Sequence, residues 1–172
     1  RWNGHSLGAP ETLLDGIPGA GIHNGSRIAI GPDRMLYLTS GDAGNADDAQ
    51  DRRSLGGKIH RLTLDGKPAP DNPFGNTVWS FGHRNPQGLS IDPVSGLLWE
   101  SEHGPMGGDE VNILEAGHNY GWPAISHGLE PGITGTAHEG MEPPIVYWNP
   151  TIAPSGIHFY EGTRYPAWRH DL

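Results

Sequence analysis

The stretch "GSRIAIGPDRMLYLTSG", residues 25–41, sets two short apolar runs on either side of a Pro-containing turn and closes both ends with glycine. Runs this short, rich in Ile, Leu and Tyr, read as the arms of a β-hairpin, with Gly31 to Arg34 as its turn. The pattern returns in "GLSIDPVSGLLWESEHG", residues 88–104, with the same interval between its end glycines. Its turn runs from Asp92 to Gly96, and Trp99 stands where the first copy has Tyr37. A third candidate, "GIHFYEGTRYPAW" from Gly156, repeats the first half only and has a longer turn. Hairpin repeats starting near Gly25, Gly88 and Gly156 lie roughly 65 positions apart, which leaves room for two further strands in each period. Four-stranded antiparallel blades around an axis, a β-propeller, fit that spacing.

Between the copies, "GGKIHRLTLDG" reads as the next hairpin, with Ile59, Arg61 and Thr63 alternating with His60, Leu62 and Leu64. "TVWSFGHR" then reads as a strand entering the second copy. Helical periodicity is nowhere sustained. The fold class is therefore all-β, residues 1–172 forming one partial propeller domain of about two and a half to three blades. A β-sandwich with coincidental similarity between its hairpins is the alternative. So few blades cannot close a ring, and closure is how propellers hide strand edges. The chain is expected to be part of a longer polypeptide whose missing blades cover those edges, or else to self-associate.

Composition agrees with turn-rich β structure. Gly (27) and Pro (16) make up a quarter of the 172 residues, while six Trp and five Tyr supply surface worth burying and argue against disorder. The formal charge of −9 repels phosphate backbones, so nucleic acid is excluded as a partner. Without cysteine there are no disulfides and no thiolate metal sites. No apolar run approaches the ~20 residues of a membrane span, and no signal peptide opens the chain.

Candidate chemistry sits at the hairpin ends. His23 just precedes the first hairpin and Asp42 just follows it, so both return to one rim. An Asp accepting from one imidazole nitrogen fixes the ring and leaves the other nitrogen as a general base. An ordinary pair of loop hydrogen bonders is the plainer alternative. In "GHRNPQGL", Arg84 and Asn85 occupy, before the second hairpin, the place of His23 and Asn24 before the first. A guanidinium fork and an amide suit carboxylates or quinone oxygens, and an Arg tying loops through backbone carbonyls is the alternative. The run "SEHGPMGGDEVN", residues 101–112, combines pliant glycines with dense acids. Gly and Pro allow main-chain carbonyls to converge on a hard cation such as Ca²⁺, with Asp109 and Glu110 to bind or balance charge. An acidic solvated loop is the other reading. The EF-hand spacing is absent. Ten His invite a zinc site, but no HxxxH-type helical pair is present, and zinc is rejected.

Taken together and in order, "HNGSRIAIGPD", "SGDAG", "GGKIHRL", "GHRNPQGL", "SEHGP", "GDEVN", "NYGWP" and "IAPSG" resemble the soluble quinoproteins, the PQQ-dependent glucose/sorbosone and aldose sugar dehydrogenases. The motifs cover nearly the whole chain. The resemblance implies a six-bladed propeller carrying PQQ and Ca²⁺ on one rim, usually in an exported, periplasmic or secreted protein, of which this chain is roughly the middle half. It implies His23 as the base taking the proton of an aldose's anomeric hydroxyl while hydride passes to the quinone and a lactone forms. Asp42 would orient that base, and Arg84 and Asn85 would contact the cofactor. Gly104 and Pro105 would give carbonyls to the catalytic Ca²⁺, and Glu110 and Tyr120 resemble ligands of a second, structural Ca²⁺. An external electron acceptor would reoxidise the quinone.

Departures matter as well. Ile22 stands where glucose-oxidising members carry an Asp, and "VYWNP" lies where aromatics cover the cofactor without Tyr147 and Trp148 aligning there. The upstream Gln and downstream Lys and Arg that complete the family's cofactor clamp fall outside the chain. The segment alone is therefore expected to be inactive. Two other readings stand beside the enzyme. One is a non-catalytic extracellular binding module of the same ancestry. The other is a Ca²⁺-dependent propeller lactonase, which needs Asp, Glu or Asn side chains on the ion where "EHGP" offers carbonyls.

Overall fold

A computed structural model describes residues 2–133 and 135–172. Two four-stranded antiparallel sheets follow one another along the chain, each an up-and-down meander in sequence order. The first holds β1 (Ile28–Ile30), β2 (Leu36–Ser40), β3 (Lys58–Leu62) and β4 (Val78–Phe81), the second β5 (Pro86–Ile91), β6 (Leu98–Glu102), β7 (Asp109–Leu114) and β8 (Val146–Trp148). Both quoted hairpins form as read. Arg34 N–H donates to the Gly31 carbonyl at 2.9 Å and Gly96 N–H to that of Asp92 at 2.8 Å, closing the two turns. Gly96 does so with a φ of 76°, a region that costs a glycine nothing. Each hairpin forms the first two strands of its sheet.

Two expectations need correction. "GGKIHRLTLDG" supplies a single strand, β3: after Leu62 the chain turns, and only an isolated bridge joins Leu62 to Pro68 before β4 pairs instead. The segment from Gly156 carries no strand. Its return is held by Tyr160 N–H to the Asp171 carbonyl at 2.9 Å and His170 N–H to the Tyr160 carbonyl at 2.8 Å. Two bonds, with no further strand alongside to bury a face, do not make a ladder.

The sheets face each other across one core. Tyr37 and Ile59 of the first pack with Leu89, Leu98 and Leu114 of the second and with Tyr120. Tyr37 meets Trp79 edge to face at 5.3 Å. Each fully buried Ile or Leu of this set contributes about 1.5–3 kcal/mol relative to an exposed one. Bonds to the start of β5 join the sheets: Thr39 Oγ1–H donates to the Pro86 carbonyl at 2.9 Å, and Asp42 N–H to that of Arg84 at 2.9 Å. This joint carries the sequence motifs.

One buried base sets an acid limit on stability. His60, at the centre of β3, has its ring nitrogens within 3.0–3.1 Å of Thr77 Oγ1, Ser40 Oγ and the Leu55 carbonyl, and is fully buried. Burial holds its pKa down to about 4, against 6.5. Between those values the unfolded chain binds a proton that the native state refuses, so the His60 share of stability rises with pH through the window and levels off above it. The span amounts to on the order of 3 kcal/mol. Glu110, whose pKa burial raises to about 8, and Glu100, also raised, slope stability the other way over this window. The His60 share is therefore read from urea unfolding between pH 4 and 7 as the stability difference between the unaltered protein and His60→Gln, which is expected to grow with pH. Equal slopes in the two proteins would remove that share.

Candidate active site

His23 sits in the loop before β1 with a φ of 53°, left-handed and uncommon for a residue with a side chain. Its carbonyl accepts from Ala43 N–H at 3.2 Å, pinning it against the end of β2. A Cβ on Gly41 would stand 2.1 Å from that carbonyl oxygen, so the glycine of "SGDAG" is what lets the two segments touch. Gly41→Ala is expected to cost about 1–3 kcal/mol through this clash. Chemical denaturation measures the loss, and a change below 0.5 kcal/mol (roughly the size of an unremarkable surface substitution) would show the approach to be slack.

The imidazole and the carboxylate meet. His23 Nδ1 lies 2.6 Å from Asp42 Oδ1, and Asp42 is 1% exposed. Asp42 Oδ1 also accepts from Gly44 N–H at 2.7 Å, and Oδ2 from the Trp122 indole Nε1–H at 2.8 Å. A carboxylate surrounded by donors acts as an acceptor toward the ring as well. Nδ1 therefore carries the proton and Nε2 keeps its lone pair. Nε2 is then free to accept a proton from a ligand.

Arg84 joins this pair to the glycine-rich run. Its guanidinium lies over the Trp122 ring at 5.0 Å, and its Nη1 donates to the Gly104 carbonyl at 2.8 Å and that of His103 at 3.1 Å. The loop-tying role that the sequence left open is thus present. Burial lowers the Arg84 pKa, and Nε is buried with no partner among the described residues. The Arg84 and Asn85 amides both donate to Glu102 Oε2, at 2.6 and 3.1 Å, fixing the bend into β5. Asn85 Oδ1 accepts from Gly25 N–H at 2.9 Å, tying the start of the first hairpin to the second.

Gly104 and Pro105 line a cleft with Arg84, Glu102, Glu110 and Trp122. A Cβ on Gly104 would lie 2.2 Å from the Gly108 carbonyl oxygen, so only glycine closes this loop on itself. At the mouth the His127 ring, which lines the cleft, stacks on Tyr147 at 3.9 Å. The contacts His23–Asp42–Trp122–Arg84–Gly104 join residues named from sequence into one chain, while His23 and Asn85 themselves line a second cleft, apart from the one lined by Gly104, Pro105, Glu110 and Tyr120.

The family model described as Glucose / Sorbosone dehydrogenase matches residues 2–172. The chain belongs to that family. It is 39% identical over 164 residues to the aldose sugar dehydrogenase YliI of Escherichia coli, covering 88% of this chain and 44% of that protein. To quinoprotein glucose dehydrogenase B of Acinetobacter calcoaceticus it is 38% identical over 144 residues, covering 70% of this chain and 30% of the other. Among solved structures, the PQQ-bound form of aldose sugar dehydrogenase from Streptomyces coelicolor superposes with a TM-score of 0.80 at 48% identity, covering 92% of this chain and 46% of that one. The chain thus spans less than half the length of these relatives.

Within this family frame, two roles change. Asp109 does not face the cleft as a free ligand: its oxygens accept from Gly104 N–H at 3.0 Å, Ile152 N–H at 2.7 Å, Ala153 N–H at 2.6 Å and the Thr151 hydroxyl. Burial raises its pKa, but these bonds outweigh that and leave it lowered. The Tyr120 hydroxyl is also spent, donating to the Ile113 carbonyl and accepting from Glu115 N–H, both at 2.8 Å. Only its main-chain oxygen is left to serve a metal. Trp122, which sequence reading passed over inside "NYGWP", proves to be the bridge between Asp42 and Arg84.

Proposed function

We propose that this chain is the catalytic part of a PQQ-dependent aldose dehydrogenase that oxidises the anomeric carbon of a sugar to a lactone. The observation that carries the reading is the half-buried His23 paired with the buried Asp42, joined through Trp122 to the Arg84 guanidinium and the Gly104 carbonyl. The residues present fit the groups implied. Carbonyls of Gly104 and Pro105, in a cleft that also holds the Glu110 carboxylate, are the hard oxygen donors that Ca²⁺ takes. The partnerless Arg84 Nε, and the Asn85 amide nitrogen, which makes no hydrogen bond among the described residues, offer donors to a quinone's oxygens.

When bound, PQQ supplies a two-electron acceptor, and Ca²⁺ at the Gly104 and Pro105 carbonyls polarises it. His23 Nε2 takes the hydroxyl proton, and Asp42 holds the resulting imidazolium in place. Arg84 and Asn85 would orient the cofactor, and Trp122 keeps Asp42 and Arg84 in fixed relation. Glu110, with the Tyr120 carbonyl, would hold a second, structural Ca²⁺. The two sheets belong to a six-bladed ring, the rest of which supplies the remaining cofactor contacts in a periplasmic or secreted protein served by an external electron acceptor. On this reading the 172-residue chain alone turns over no sugar.

Reconstituting the chain with PQQ and Ca²⁺, and following dye reduction with glucose and other aldoses, tests the division of labour. Sustained turnover would refute it. The polypeptide carrying the other blades is expected to reduce the dye only with PQQ present, and failure there would overturn the assignment of activity.

A further inference from the structure

Behind the cleft lies a group of side chains that the reading above leaves unused. Glu100 and Glu102 project from one face of β6, and across the ladder Asn112 pairs with Glu100 and Glu110 with Glu102. His83, from the turn after β4, closes the group. Ligand atoms of His83, Glu100 and Glu102 all lie within 4.8 Å of one another, and the three residues are 0%, 0% and 3% exposed. The bonding there is incomplete. His83 Nε2 is 2.9 Å from Ser80 Oγ, while Nδ1 is buried without a hydrogen bond and 3.4 Å from Glu102 Oε1. Asn112 Nδ2 donates to Glu100 Oε2 at 3.1 Å, while Glu100 Oε1 has no partner. Buried acids beside an imidazole nitrogen that makes no hydrogen bond need either a proton shared among them or a cation to hold them together. Arg84 does not supply the cation, because its guanidinium is turned to the His103 and Gly104 carbonyls.

We infer that His83 Nδ1, Glu100 and Glu102 form a buried Zn²⁺ site, separate from the carbonyl-lined Ca²⁺ position and not dependent on the dehydrogenase reading. One imidazole nitrogen and two carboxylates are zinc ligands, whereas Ca²⁺ takes six to eight oxygens. Donors about 3.4 Å apart span the edge of a tetrahedron with bonds of ~2.1 Å, close to the His83–Glu102 separation. A zinc-bound His commonly engages its second nitrogen with a polar partner, as Ser80 does here, and Asn112 steadies Glu100 in the same way. Glu102 lines the cleft and gives the ion a way in.

The test uses the 172-residue chain, stripped with chelator and dialysed against Zn²⁺ in excess Ca²⁺, so that oxygen-only sites are filled. One retained Zn²⁺ per chain, with one imidazole and oxygen neighbours in the X-ray absorption spectrum, is expected. Glu100→Gln and His83→Gln should each weaken Zn²⁺ binding at least about 10-fold, and His118→Gln, half-buried and paired with Glu142 away from the group, should leave it unchanged. No retained Zn²⁺, binding indifferent to Glu100→Gln and His83→Gln, or binding lost in His118→Gln would each overturn the assignment. If either buried variant fails to fold, the absorption spectrum of the unaltered chain decides.

Discussion

Replacing His23 by Gln, in the polypeptide that carries the remaining blades, is expected to lower kcat for aldose oxidation about 10²–10⁴-fold, the range by which a positioned base accelerates proton transfer. KM should change little, because the ring's part is played in the transition state. Asp42→Asn should come close to the same loss for a different reason. Asp42 receives His23 Nδ1–H, Gly44 N–H and Trp122 Nε1–H. An amide has one oxygen for these donors and turns its own N–H groups on the others. Presented to His23, an amide N–H draws the ring into the other tautomer and closes off Nε2 as a base. Trp122→Phe removes one donor and leaves Asp42 accepting from the other two, so a smaller loss, about 10-fold, is expected. Steady-state kinetics on the three variants, with folding checked by circular dichroism, gives the ranking. An Asp42→Asn enzyme with near-normal kcat would show that the carboxylate holds the loop and does not set the ring.

How far the chain could be read without coordinates follows from range. His23 and Asp42 flank one hairpin, so their meeting at 2.6 Å is a consequence of local topology that glycine spacing already announced. Arg84 was found by its equivalence to His23 in a second copy of the same unit. Trp122 was missed because the bond that gives it a role crosses 80 positions, and nothing in "NYGWP" points to Asp42. The hairpin from Gly156 was over-read. Its composition suits a strand, but a strand exists only with a neighbour, and composition does not reveal neighbours. His83, Glu100 and Glu102 escaped a search for helical histidine pairs because their grouping arises from a turn and alternate positions of a strand. Only the structure places that turn beside that strand.

Asp109 is the residue on which long-range order and the site meet most directly, and its conservative replacement is expected to be nearly as harmful as its removal. The carboxylate receives four donors: the Gly104 amide, the Ile152 and Ala153 amides, and the Thr151 hydroxyl. It thereby clips "IAPSG" to "EHGP", and His103 Nε2, 2.8 Å from the Pro154 carbonyl, fastens the same pair of loops. Asp109→Ala leaves the Gly104 amide and three donors of the exposed 151–153 segment without their acceptor. Such bonds are worth about 1.5–3 kcal/mol apiece at most, and water re-solvates part of the loss, so a net cost on the order of 3 kcal/mol is expected. Asp109→Asn preserves shape, yet every partner is a donor, and its NH₂ faces either Gly104 N–H or the amides of Ile152 and Ala153. A loss on the order of 2 kcal/mol follows, since a part-buried clash of donors forfeits the bond and some of the solvation it replaced. The loop bearing the Gly104 carbonyl should loosen together with the fold. Urea unfolding would register the first effect, and Ca²⁺ titration of the complete protein the second, as weaker binding. An Asp109→Asn protein within about 1 kcal/mol of the unaltered one, with unchanged Ca²⁺ affinity, would mean that the two loops hold each other through other contacts and that the carboxylate faces solvent or metal instead.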